Sequence, residues 1–264
     1  MKLKTVLIAS ALAIVAGCSG GSAPPATEGA GGAARAGGGG TQINGAGATF
    51  PYPIYSKWFS EYNKLHPNVQ INYQSLGSGA GIRQLTSRTV FFGASDQPMK
   101  DDQLQAAPGR ILHFPTVLGA VVPIYNLPEV SQQLKFTGPL IADIVLGKVK
   151  KWNDPAIAKL NPGVKLPATD LTLVHRSEGS GTTFIFADYL GKVSDEFKKT
   201  VGVDASLKWP VGVGGKGNRA FPDWCSRRPG QWGMSSSCTR CRTKSRSGRC
   251  RTAPAHSSCP RSPA

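Results

Sequence analysis

Three short turns rich in glycine and small hydroxyl residues, each running directly into a helix-like pattern, restrict this chain more than any other feature. The first is Gly45-Ala46-Gly47-Ala48-Thr49-Phe50, followed by Pro51 and Pro53 and then by Ile54, Trp58, Tyr62 and Leu65 at helical spacing. Proline is tolerated in a first helical turn, so the prolines agree with that reading. The second turn, Gly77-Ser78-Gly79-Ala80-Gly81, leads to Ile82 and Leu85. The third, Glu178-Gly179-Ser180-Gly181-Thr182, opens a segment with Phe186, Tyr189 and Leu190 on one face. A helix start carries backbone N–H groups without intrahelical partners and the positive end of the helix dipole, so each turn suits an oxyanion.

Strand-like runs lie between the turns, over residues 69–73, 90–94, 118–125 and 171–174. Strand alternating with helix predicts an α/β fold with largely parallel sheets, in which ligands bind beyond the carboxyl ends of the strands. Asn153-Asp154-Pro155 predicts a further short helix through Ala156, Ile157 and Leu160, stopped by Asn161-Pro162-Gly163. A single Gly/Ser turn before a helix serves equally well as a plain cap. Three of them within fewer than 140 residues, one next to Arg176, favour a shared anion site over three caps. Alone, Arg176 reads as a surface cation, and Asp96, in Gly93-Ala94-Ser95-Asp96, reads either as a strand-end cap or as a group facing the site.

Other chemistries fit poorly. Gly179-Ser180-Gly181 lacks the G-x-S-x-G spacing of a nucleophile elbow, and His175 alternates off the face of Arg176 if both lie on a strand. The run from Gly212 to Asn218 has Lys216 among glycines but no Ser or Thr after the Gly-Lys pair, so it fails as a phosphate-binding Walker loop. His66, His113, His175 and His256 show no metal-ligand spacing, and no metal is expected.

Residues 1–18 begin with Lys2 and Lys4, continue through an apolar stretch and end in Val15-Ala16-Gly17-Cys18. This pattern predicts a lipoprotein signal with Cys18 as the lipidated residue, mooring the chain to a membrane face. Residues 19–41 hold nine Gly and six Ala without apolar periodicity and predict a flexible linker.

The body resembles the periplasmic phosphate-binding proteins that serve the bacterial high-affinity phosphate ABC importer. The resemblance runs almost continuously from Ile43 to Asn218. It is carried by Gly45 to Pro51, Gly93 to Asp96 with Pro98, Phe114-Pro115-Thr116-Val117, Leu146 to Trp152, Gly179 to Thr182, Lys208-Trp209-Pro210 and Gly214 to Asn218. It implies two α/β lobes with a hinge, closing on one phosphate, with a first lobe over 42–117 and a second over 118–218. It implies further that Thr49, Phe50, Ser78, Ser180, Gly181 and Thr182 bind the anion, that Arg176 supplies a cation, and that Asp96 accepts a proton from the ligand. No cofactor, no reaction and no nucleic acid are expected; the implied partners are the permease subunits of the importer, and the chain is expected to act as a monomer. Phe91 and Glu178 depart from the family, which commonly has Asp at both positions.

After Asn218 the character changes. Residues 219–264 hold nine of the 14 Arg and five of the six Cys, and carry +9 of the chain's net charge of +16. The basic total therefore comes mostly from this tail and is a poor guide to partner. Cys238 and Cys241 form one C-x-x-C without a second pair, which argues against a zinc finger. The composition predicts irregular chain and suits an out-of-frame translation of GC-rich DNA, in which the family's carboxyl-terminal portion has been replaced. Reading the tail one base out of phase permits Tyr-Val-Glu-Leu-Val-Tyr across residues 233–239, the family's own continuation. A phosphate-ester hydrolase would need a nucleophile with a base or metal, and a lipid- or nucleic-acid-binding protein acting through the tail would show strong salt dependence.

Overall fold

The computed structural model describes residues 40–218, 228–236 and 251–252. In chain order the elements are β1 (Thr41–Gly47), α1 (Tyr52–Leu65), β2 (Val69–Ser75), α2 (Ser78–Thr86), β3 (Phe92–Ala94) and α3 (Asp101–Gln105). There follow β4 (Val121–Tyr125), α4 (Gly138–Val145), α5 (Pro155–Leu160), β5 (Thr172–Arg176), α6 (Gly181–Val193) and α7 (Asp195–Thr200). β6 (Val213–Gly215), β7 (Gln231–Ser236) and β8 (Arg251–Thr252) complete the series. The expected alternation of strand and helix is present, and the strands divide into two sheets.

The first sheet has the order β2-β1-β3, with β1 parallel to both neighbours. Gly45, Ala46 and Gly47, expected in a turn, lie in this central strand. The small residues fit the close packing here: a Cβ on Gly45 would lie 2.1 Å from the Phe92 ring of β3, one on Gly47 2.0 Å from the Ala94 carbonyl oxygen, and one on Gly81 of α2 2.6 Å from the Gly47 Cα. The turn proper therefore begins at Ala48 and delivers Thr49 and Phe50 to the amino end of α1. The core here is small, built on Ala48, Tyr55 and Ala94 with Phe59, Tyr73 and Val117 against them. Tyr73 anchors the turn by donating its hydroxyl to the Ala48 carbonyl at 2.7 Å. On either side of β3 the chain leaves Phe91, Phe114 and Leu118 exposed along a cavity of about 830 Å³.

The second sheet has the order β6-β5-β7-β4-β8. β5 runs parallel to β6 and β7, whereas β4 is antiparallel to β7 and β8, so this sheet is mixed rather than largely parallel. Its core holds Tyr125, Trp152, Leu173, Leu190, Phe197 and Trp232, none more than 2 % exposed. α5 begins where the sequence predicts: the Asp154 side chain accepts from the Ala156 N–H at 2.8 Å, satisfying one orphan donor of the helix start.

Irregular chain was expected throughout 219–264, yet Gln231–Ser236 forms β7, the middle strand of the second sheet. Trp232 is fully buried, and the Trp152 indole N–H donates to the Gly230 carbonyl at 2.8 Å, tying the entry of this strand to the core. Composition misled here, because a strand flanked by two neighbours needs only a few inward apolar residues, and Trp232 and Met234 supply them. Most of the rest of that segment lies outside the described residues, as do the signal and Cys18 and all but the end of the linker.

Candidate anion-binding site

The carboxyl ends of the strands and the amino ends of two helices converge on one place. Ser78 is the first residue of α2, and Gly181 is the first residue of α6. The Ser78 Oγ accepts from the Gly181 N–H at 3.1 Å and from the Asp96 N–H at 3.2 Å. Alongside, the Gly79 N–H donates to the Gly179 carbonyl at 3.1 Å. Gly181 has no room for a side chain: a Cβ there would lie 2.5 Å from the Asp96 Cβ and 2.6 Å from the Ser78 Oγ. The glycine thus permits the two helix starts, which pack on different sheets, to meet. Two positive helix ends brought together form a small region where negative charge is favoured without a cluster of cations.

Asp96 stands two residues beyond β3, at its carboxyl end. Its Oδ2 accepts from the Thr182 hydroxyl at 3.2 Å. Burial raises its pKa above the ordinary carboxylate value; the hydrogen bond from the Thr182 hydroxyl, the Arg176 charge and the Thr182 backbone N–H pull the other way without overcoming it.

Arg176 ends β5 and is buried. Glu178 Oε1 accepts from its Nε at 2.8 Å and also from its Nη2, and the Gly217 N–H donates to the same oxygen at 2.8 Å. On the other side, Arg176 Nη1 donates to Asn218 Oδ1 at 2.7 Å. Three of the five guanidinium donors are thereby held by the fold, leaving the side chain fixed in direction and able to meet an oxyanion with the rest.

The predicted residues are therefore gathered with unequal roles. Ser78, Asp96, Gly181 and Thr182 form one connected hydrogen-bonded group, which Arg176 reaches through Asn218 Oδ1. Thr49 joins it through its Oγ1, which accepts from the Asn218 N–H at 3.3 Å. Phe50 borders the 830 Å³ cavity together with Asp96 and Thr182. Ser180 caps α6, its Oγ accepting from Thr183 N–H at 3.3 Å while its own N–H goes to the Ala205 carbonyl at 2.9 Å. Its hydroxyl proton is what it can offer a ligand. His175 stacks on Trp209 with ring centroids 5.2 Å apart, and the exposed His113 accepts from the Met99 N–H. Asn218 was not singled out from sequence as a site residue, because an asparagine after a glycine-rich run carries no motif of its own.

A family model described as a PBP superfamily domain matches residues 31–247. The chain is 55% identical over 186 residues to the phosphate-binding protein PstS of Pasteurella multocida, covering 70% of this chain and 53% of that protein. It is 53% identical over 183 residues to PstS of Haemophilus influenzae, covering 69% and 54%. The chain thus spans about half the length of the curated relatives it matches. Among solved structures, an ABC-type phosphate transport receptor from Vibrio cholerae matches with a TM-score of 0.54 at 17% identity, over 82% of this chain and 77% of that one, a likeness of fold. With its paired α/β sheets and a family match that runs from the linker into the tail, the chain belongs to the PBP superfamily.

Proposed function

We propose that this chain binds inorganic phosphate outside the cytoplasmic membrane and passes it to the membrane subunits of an ABC-type phosphate importer, without any chemical conversion. The observation that carries the reading is a half-buried carboxylate, Asp96, set among donors: the Thr182 hydroxyl, the Arg176 guanidinium and the starts of α2 and α6. Phosphate near neutral pH keeps a proton and can donate it to a carboxylate, whereas sulfate brings only lone pairs. A fully deprotonated anion would leave Asp96 unpaired and repelled, a penalty large enough to decide selectivity. The donors around it, mostly neutral, satisfy the remaining oxygens. The names of the relatives, phosphate-binding proteins at up to 55% identity, support the same ligand.

Lipidation at Cys18 and the linker that follows would hold this binding domain near the membrane, and a monomer suffices for the task. Among the described residues no hydroxyl of the cluster is hydrogen-bonded to a histidine, which supports binding rather than hydrolysis. Calorimetric titration of the full chain with phosphate and with sulfate near pH 8 tests the reading. Saturable binding of phosphate alone is expected; binding of neither, or of both equally, would overturn it.

A further inference from the structure

We infer that Asn218 is a positioning residue of the anion site, and that its neutral amide aims Arg176 without cancelling its charge. The inference rests on the phosphate reading above. Asn218 is almost fully buried. Its Oδ1 accepts from Arg176 Nη1 at 2.7 Å and lies 3.5 Å from the Thr182 hydroxyl, and its backbone N–H donates to Thr49 Oγ1 at 3.3 Å. Arginine has no acceptor, so the amide atom facing it must be the oxygen. One residue therefore touches three predicted ligands, two in the second lobe and one in the first.

The charges nearby explain why an amide suits the place. Arg176 already faces one carboxylate, Glu178, whose Oε1 takes its Nε and Nη2 and the Gly217 N–H, while Oε2 is buried without a hydrogen-bond partner. Asp96 brings a second carboxyl to the cluster. A further carboxylate on Nη1 would fix the guanidinium equally well but leave a surplus of negative charge facing a dianion. In a site of low dielectric that repulsion is strong. Asparagine supplies the acceptor and the geometry without the charge. Glu178 and Asn218 together clamp both edges of the guanidinium, so it need not be ordered when the anion arrives, which preserves affinity.

The test compares the wild-type chain with Asn218→Ala and Asn218→Asp by phosphate titration between pH 5 and 8, with a thermal melt of each. Loss of a hydrogen bond to a charged group should weaken phosphate binding of Asn218→Ala by about tenfold. Asn218→Asp should melt like wild type, bind more weakly than Asn218→Ala at pH 8, and recover part of that loss relative to wild type as the pH falls and the phosphate dianion becomes a monoanion that the added carboxylate repels less. Should the alanine variant fail to fold, the pH dependence of the aspartate variant decides alone. Phosphate binding within twofold of wild type in both variants, or an aspartate variant no weaker at pH 8 than at pH 5 relative to wild type, overturns the inference while leaving the phosphate reading intact. A wild-type chain that takes up no phosphate overturns both.

Discussion

Ser78 and Gly181 are 103 residues apart in sequence, yet the hydroxyl oxygen of the first accepts the backbone N–H of the second at 3.1 Å. This bond joins the starts of α2 and α6, and hence the two sheets on which these helices pack. The Ser78 hydroxyl proton stays available for a ligand, because the oxygen acts only as acceptor toward Gly181 and Asp96. Ser78→Ala removes both contributions. We expect phosphate affinity to fall by about tenfold or more, measured by calorimetry, with the melting temperature lowered only slightly. An unchanged affinity would show that the junction is structural alone.

Asp96 gives the folded chain a pH signature of its own. Burial raises its pKa in the fold, so the native state holds the proton more tightly than the unfolded chain does. Stability then falls as pH rises, from the unfolded value near 3.8 through the raised folded one, because the ionised carboxylate is poorly solvated. In the absence of phosphate, denaturant melts of wild type against Asp96→Asn should show this downward slope in the wild type and its loss in the variant. Parallel profiles would contradict the assignment.

β7 makes a claim about the tail. Trp232 is fully buried between the aromatic side chains of Phe136 and Phe186. Trp232→Ala should destabilise the chain by about 3 to 5 kcal/mol, read from chemical denaturation. A loss below about 0.5 kcal/mol, the range of surface substitutions, would mean that this segment does not enter the sheet.

Lys100 and Asp204 form an ion pair at 2.7 Å on the outside, one from the segment after β3 and the other from the segment after α7. Partial burial alone would raise the Asp204 carboxyl, but hydrogen bonds from Lys100 and the Ala205 N–H hold it below its usual value. Both side chains are nearly half exposed, so the pair is worth about 0 to 1 kcal/mol. Lys100→Gln should change phosphate affinity by less than about fivefold, and the change should vanish in high salt.

Much of this arrangement is legible in the amino-acid sequence, for a physical reason. Helix starts that face a ligand need small residues and hydroxyls, so Ser78, Ser180, Gly181 and Thr182 announce themselves by type and position. The parallel pairing of β2 with β1 follows from helix α1 between them, as alternation implies. What composition concealed was β7, because six residues of ordinary polarity carry no period until their neighbours are known. Gly45 to Gly47 misled in the opposite sense: glycines read as a turn, but here they lie in a strand and make room for the Phe92 ring and the Ala94 backbone of β3. Asn218 stayed hidden because its importance lies in partners 36, 42 and 169 residues away.

The most direct test is the ratio of phosphate to sulfate affinity in wild type and Asp96→Asn, measured by calorimetry on the full chain near pH 8. If the Asp96 carboxylate accepts the ligand's proton, the variant's amide can donate to sulfate and no longer repels it, and discrimination should drop by about a hundredfold or more. A ratio that survives the substitution unchanged would contradict the account.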